Sequence, residues 1–186
     1  MFAPEPTEST LRTLRFEATA GAGINAPTPS TVSALLAADA ALHFSPWRFG
    51  LLAAFSFGGS TPVLDDVTGR ERGTLTARSL FLLPHAMVCL DRTLSLCGGV
   101  RAGARIAIGS AAGDYIFQTK TVLAPTPTTG VGGRLAFGIG PILFALDLSL
   151  LVNLTTPKLE VQGLNTTLDT PRFDLLLALS AGGRTR

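Results

Sequence analysis

The stretch Ile142 to Asn153, ILFALDLSLLVN, carries an aspartate, a serine and an asparagine inside an otherwise apolar run. On an α-helix Asp147 and Ser149 would point about 200° apart, so no single polar stripe could collect them. On a strand they share a face, because side chains alternate with period two. The alternation is complete. Ile142, Phe144, Leu146, Leu148, Leu150 and Val152 form one large apolar set, against Leu143, Ala145, Asp147, Ser149, Leu151 and Asn153. The run is also shorter than the roughly 20 apolar residues of a helical membrane span. It reads as a strand with one wholly apolar face.

The same period recurs along the chain. Leu14 to Ile24 sets Leu14, Phe16 and three alanines against Arg15, Glu17 and Thr19, and Val32 to Ser45 places Asp39 and His43 opposite Leu36 and Leu42. Arg48 to Gly58, Leu94 to Ile108, Val131 to Ile139 and Phe173 to Gly183 repeat it, with Arg48, Arg101, Arg105, Arg134 and Asp174 on the small-residue face. An eighth strand is expected between about Thr74 and Leu90, with Pro84 marking a bulge or an edge because it cannot donate to a ladder. Between the strands lie connections of unequal length. The expected tight turns are at 46–47, 91–93 and 140–141, and the longer loops at 25–30, 59–73, 110–129 and 154–172. Turns at one end and loops at the other are what a closed up-and-down barrel requires. The fold class is therefore all-β, an eight-stranded antiparallel up-and-down transmembrane β-barrel, spanning 13–186 as one domain after a flexible segment 1–12.

Composition agrees with a lipid-facing exterior. The 186 residues are 46% hydrophobic and only 15% charged, with a mean hydropathy of +0.39, which is high for a soluble domain. No window reaches 18 uncharged apolar residues. The net charge of +2, with thirteen Arg and two Lys scattered along the chain, forms no basic stripe and argues against a nucleic-acid partner. The opening MFAPEPTESTLR has neither the charged nor the apolar region of a signal peptide. With the rest of the chain, this leads to the expectation of an exported protein whose signal has been removed.

On these strands and connections the chain resembles the small eight-stranded outer-membrane β-barrel proteins of Gram-negative bacteria, in the manner of outer-membrane proteins A and X. The resemblance covers Leu14 to Arg184 and implies a bacterial outer-membrane location. It places the N-terminus and the tight turns in the periplasm and the longer loops outside. Phe44, Trp47 and Phe49 beside the first turn, and Phe137 and Phe144 beside the third, suit an interfacial aromatic girdle. The chain departs from the family in ending Gly182-Gly183-Arg184-Thr185-Arg186, where members usually carry a terminal aromatic.

An eight-stranded barrel has room only for side chains in its bore. Glu17, Asp39, Asp147 and Asp174, with Arg15, Arg48, Arg101, Arg105 and Arg134, are expected to form a lumen charge network, since unpaired buried charges are costly. Asp147 would meet Arg134 on the preceding strand. The implied function is an integral outer-membrane barrel with a plugged lumen, not an open porin, and with a structural or surface-interaction role. It would be a monomer whose partners are the lipid bilayer and any surface ligand of the loops, where Asp65, Asp66, Arg70, Glu71, Arg72, Lys158 and Glu160 stand. Two other readings remain at this point. A soluble lipocalin-like ligand-binding barrel would turn the charged face outward. A lipid-modifying outer-membrane hydrolase is suggested by His43 and Ser45, which resemble part of a lipid A deacylase site and would share one strand face.

Cys89 and Cys97 lie at equal distance from Thr93, so they can face each other across a hairpin and form a disulfide. An oxidising periplasm would permit it. Neither Cys/His metal spacing nor a phosphate-binding glycine loop occurs, so no metal and no cofactor is expected.

Overall fold

The computed structural model describes residues 14–28, 31–64, 70–90, 94–113, 122–160 and 167–185. The segment 1–12 and the turn expected at 91–93 lie outside the described residues. Eleven strands follow in order among those described: β1 (Arg15–Thr28), β2 (Thr31–Phe44), β3 (Trp47–Ser56), β4 (Ser60–Leu64), β5 (Glu71–Leu90), β6 (Leu94–Ala112), β7 (Val122–Ile139), β8 (Ile142–Asn153), β9 (Lys158–Glu160), β10 (Thr167–Asp169) and β11 (Phe173–Arg184). Eight of them close a ring, β3-β2-β1-β11-β8-β7-β6-β5, shut by the pairing of β3 with β5. Every neighbour is antiparallel. β4 pairs only with β5, continuing the wall past the end of β3, and β9 with β10 makes a small separate hairpin.

Alternation decides which face of each strand turns inward. Along β8 exposed and buried residues alternate from Ile142 to Leu151, with Asp147, Ser149 and Asn153 buried. Thirty large apolar side chains among the described residues are exposed, drawn from all eight wall strands and their ends. A water-soluble monomer tolerates apolar patches of only a few hundred Å². An apolar belt around the entire wall requires an apolar solvent, and closing the ring satisfies the strand edges within it. The charged face points inward, which removes the soluble ligand-binding reading.

The tight turns Ser45–Pro46 and Gly140–Pro141 lie at the end where β1 begins and β11 finishes. Gly140 takes a positive φ of 62°, a conformation glycine adopts without steric cost. Aromatic rings gather at this end: Phe44 and Phe49 stack at 5.7 Å, Trp47 and Phe49 at 6.1 Å, and Phe137 and Phe144 at 5.2 Å.

Several expected boundaries are corrected. Pro84 marks neither a bulge nor an edge. Leu82 pairs with Ala104 and His85 with Arg101, so the register to β6 is the same on both sides of the gap at Leu83 and Pro84, while Pro84 stands opposite Leu51 on the other side. The loop expected at 110–129 is largely strand, since β6 runs to Ala112 and β7 begins at Val122. The pattern at the start of β7 is an unusual alternation in which Pro125 and Pro127 face out and Thr126 and Thr128 face in. The prolines are tolerated because β8 ends opposite Thr128, leaving the upper part of β7 as an edge. Residues 59–73 likewise contain β4 and the start of β5, and 154–172 contain β9 and β10. The connection between β1 and β2 shrinks from 25–30 to the two residues 29–30, so one short connection also lies at the far end.

Candidate functional site in the barrel lumen

The inward residues fall into tiers along the bore. Two strands show the order plainly: β8 runs from Asp147 and Ser149 through Leu151 to Asn153, and β3 from Arg48 through Leu52 and Ala54 to Ser56. Of three main tiers the lower, on the side of the tight turns, is charged, the middle one is apolar, and the far one is mainly neutral and polar.

In the charged tier six ionic side chains alternate in sign: Glu17, Arg48, Asp39, Arg134, Asp147, Arg101. Arg48 donates from Nε to Glu17 Oε2 at 3.0 Å and from its other arm to Asp39. Arg134 Nη1 lies 3.6 Å from Asp39 Oδ1 and donates to Asp147 Oδ2 at 2.8 Å. Arg101 Nη2 donates to Asp147 Oδ1 at 3.3 Å, and its Nη1 donates to Ser149. Arg134 and Asp147 are direct cross-strand partners, which is why their side chains meet without a long reach. Gly132 makes room for Arg101, because a Cβ there would collide with the guanidinium.

Two histidines complete this tier. His43 Nδ1 lies 3.4 Å from Glu17 Oε1. His85 Nε2 lies 2.7 Å from Arg48 Nη1; a guanidinium can only donate, so Nε2 accepts and the ring proton sits on Nδ1. That nitrogen faces Asp39 Oδ2 at 3.6 Å. The tier thus draws on β1, β2, β3, β5, β6, β7 and β8. All its ionic side chains are under 10% exposed, so each charge depends on its partners rather than on water.

Above it Leu35, Leu52, Phe81, Leu83, Leu151 and Leu176 pack together with Ala37, Ala54 and Ala178. The far tier centres on Asp174, which is fully buried. Asp174 accepts from Asn25 Nδ2 at 3.3 Å and from Asn153 Nδ2 at 2.7 Å, and Arg105 Nε lies 3.7 Å away. Arg105 donates to Ser79 Oγ at 3.1 and 2.9 Å and lies 5.8 Å from the centroid of the Phe81 ring. Thr128 Oγ1 donates to Asn153 Oδ1 at 2.7 Å, and Ser33 and Ser56 share a 2.6 Å hydrogen bond.

Eight of the nine expected network residues are buried and ion-paired, in two groups rather than one. Arg15 is not among them. It is half-buried at the turn-end mouth and has no carboxylate partner among the described residues. His43 and Ser45 do not share a face, because β2 ends at Phe44 and Ser45 is an exposed turn residue while His43 is buried against Glu17. Cys89 and Cys97 are directly opposed, with Cα atoms 4.0 Å apart, and form the disulfide. Sequence reading put Ser56 and Asn153 on the inward face but gave them no role in the lumen, and it missed His85, Asn25, Ser79 and Thr128 altogether. Inward parity on the strand expected between about Thr74 and Leu90 was the available signal for His85. Among the described residues no cluster of His, Cys, Asp and Glu could hold a metal ion.

No protein-family model matches the chain, and no curated protein sequence matches it. Solved structures do. A major outer membrane protein from Thermus thermophilus superposes with a TM-score of 0.66 at 15% identity, covering 93% of this chain and 100% of its own. Ail, the attachment invasion locus protein of Yersinia pestis, solved with the heparin analogue sucrose octasulfate, gives 0.52 at 11% identity, covering 92% and 99%. Neisserial surface protein A gives 0.50 at 10% identity, covering 92% and 96%. With its closed ring, inward charges and apolar exterior, this chain has the fold of the small eight-stranded outer-membrane β-barrel proteins.

Proposed function

We propose that the protein is an integral barrel of a bacterial outer membrane whose lumen is plugged and whose role is structural or lies in surface interaction. The observation that carries this reading is the filled bore. Ionic side chains from six strands, with His85 from a seventh, interlock across it, and an apolar tier lies directly above them. A continuous water path for ions would have to cross both. The tilted eight-strand ring leaves room for side chains alone.

The far end supplies a platform for recognition. β5 and β6 stay paired from Cys89 opposite Cys97 up to Thr74 opposite Ala112, well past the end of β3, and β4 adds a further strand to that side. Arg70 and Glu71 are exposed there. Asp65 and Asp66 lie outside the described residues, as do the side chains of Arg72, Lys158 and Glu160. One structural neighbour, Ail, was solved with a heparin analogue, which supports looking for a ligand. A hydrolase built on His43 and Ser45 finds no support in the geometry.

Two measurements test the reading. Protein refolded in detergent is expected to migrate differently on a gel before and after boiling, and to leave planar-bilayer conductance at the bare-membrane level; stable conductance steps would overturn the plug. An epitope inserted between Glu160 and Thr167 is expected to be labelled on intact cells. Labelling only after permeabilisation would reverse the orientation and remove the surface role.

A further inference from the structure

Beneath the charged tier, the turn-end mouth encloses a cavity of about 60 Å³ lined by Arg15, Arg48, Arg134 and Arg184 with Glu17 and His43. The charges around it are not balanced. Glu17, Asp39 and Asp147 are matched within the alternating chain by Arg48, Arg134 and Arg101. Arg15 and Arg184 therefore stand as surplus positive charge at the opening, and neither has a carboxylate partner among the described residues. Arg184 is held in place: its Nε donates to Gly140 O at 3.3 Å, and its guanidinium lies over Gly138, where a Cβ would collide with it. A second, independent observation comes from the wall of the cavity. Arg134 is 1% exposed, and its Nε–H has no hydrogen-bond partner. A buried donor without a partner costs roughly 1 to 3 kcal/mol.

We propose that this mouth binds a small tetrahedral oxyanion of the phosphate class. Size supports the choice. The cavity is several times the roughly 10 to 15 Å³ that one water-sized occupant needs, which leaves room for the few heavy atoms of one phosphate. Chemistry supports it too, because guanidinium forks match phosphate oxygens in geometry and charge. Glu17 does not oppose the anion strongly: its carboxylate is already engaged by Arg48 and His43. The site uses the fold alone and stands whether or not the far end has a surface partner. The oxyanion can be free phosphate or the headgroup of an anionic lipid in the adjoining leaflet.

The test is phosphorus NMR of inorganic phosphate titrated with protein refolded in a non-ionic detergent. Wild type is expected to broaden the phosphate resonance. The double substitution Arg15→Ala with Arg184→Ala spares the buried tier, and its fold is checked by heat-dependent gel migration; it is expected to bind about tenfold more weakly, the loss of at least one charge-assisted contact. Equal broadening by the folded double variant, or none by wild type, overturns the site. The source is separated by repeating the titration in phosphatidylcholine nanodiscs with and without phosphatidylglycerol. Weaker apparent phosphate binding in the anionic discs assigns the site to a lipid headgroup, and unchanged binding assigns it to free phosphate.

Discussion

The charged and the far polar tiers fill the same bore with different chemistry. Below, each of Asp39 and Asp147 is shared by two arginines, and six charges run in strict alternation from Glu17 to Arg101. Above, Asp174 and Arg105 are an ionic pair at 3.7 Å, and most of the holding is done by amides and hydroxyls: Asn25, Asn153, Thr128, Ser79. Loss of a shared acid leaves two arginines short of a carboxylate at once, a positive surplus inside the bore. A neutral group loses one hydrogen bond and leaves no charge behind. The lower tier is therefore brittle and the upper one forgiving, although the two are equally buried.

The same isosteric change made in both tiers tests that contrast. Asp39→Asn removes the negative charge between Arg48 and Arg134 and keeps the shape. Removing one partner of a buried ion pair costs about 3 to 5 kcal/mol, and that loss is expected in denaturant unfolding from lipid vesicles. A loss under about 1 kcal/mol, the scale of a single net hydrogen bond, would mean that water, not Asp39, carries the arginines' charge.

Next in size is the disulfide beneath the lower tier. Cys89–Cys97 ties β5 to β6 on the turn side of His85 and Arg101, in a cluster with Met87. Replacing both cysteines by serine is expected to cost about 2 to 3 kcal/mol, the chain-entropy value for so short a loop. The effect is read as a lower midpoint in the same unfolding assay, and reduction of the wild type should reproduce most of it. An unchanged midpoint would show that the charged tier alone fixes the hairpin.

How much of this was legible in the sequence depends on which side chains announce themselves. Period-two alternation places Asp39, Arg48, Arg101, Arg134, Asp147 and Asp174 inside because a charge opposite Leu and Phe is conspicuous. It also pairs Arg134 with Asp147, since adjacent strands joined by a two-residue turn have a fixed register. His85 was obscured by Pro84, where a bulge or an edge was expected; the pairing to β6 lapses at Leu83 and Pro84 but resumes at His85 in the same register. The start of β7 was obscured because proline and threonine alternate there in place of Leu and Ser. Arg15 follows the inward parity yet stays outside the network, because parity fixes the face but not the depth: at the first residue of β1 the side chain reaches only the mouth. Division of the lumen into tiers was not legible at all. It depends on the relative height of residues on eight strands, which is set by the register of every pairing together.

The smallest of the expected effects belongs to Asp174→Asn, the counterpart of the Asp39 change. Arg105 already donates twice to Ser79 Oγ and reaches Pro171 O at 3.5 Å, so losing an acid at 3.7 Å leaves its guanidinium still engaged. The cost falls instead on the amides. Asp174 accepts from both Asn25 Nδ2 and Asn153 Nδ2, and an asparagine in its place keeps one carbonyl but turns a second donor toward one of them. Asn153 cannot swing its amide over to compensate, because its Oδ1 accepts from Thr128 and its Nδ2 also donates to Pro171 O. One hydrogen bond is lost and one donor is left facing another, a cost of about 1 to 2 kcal/mol. The unfolding free energies of Asp39→Asn and Asp174→Asn, measured side by side in one lipid, should therefore differ by roughly a factor of two or more. Equal losses would show that burial alone, rather than the sharing of each acid between two arginines, sets what a lumen aspartate contributes.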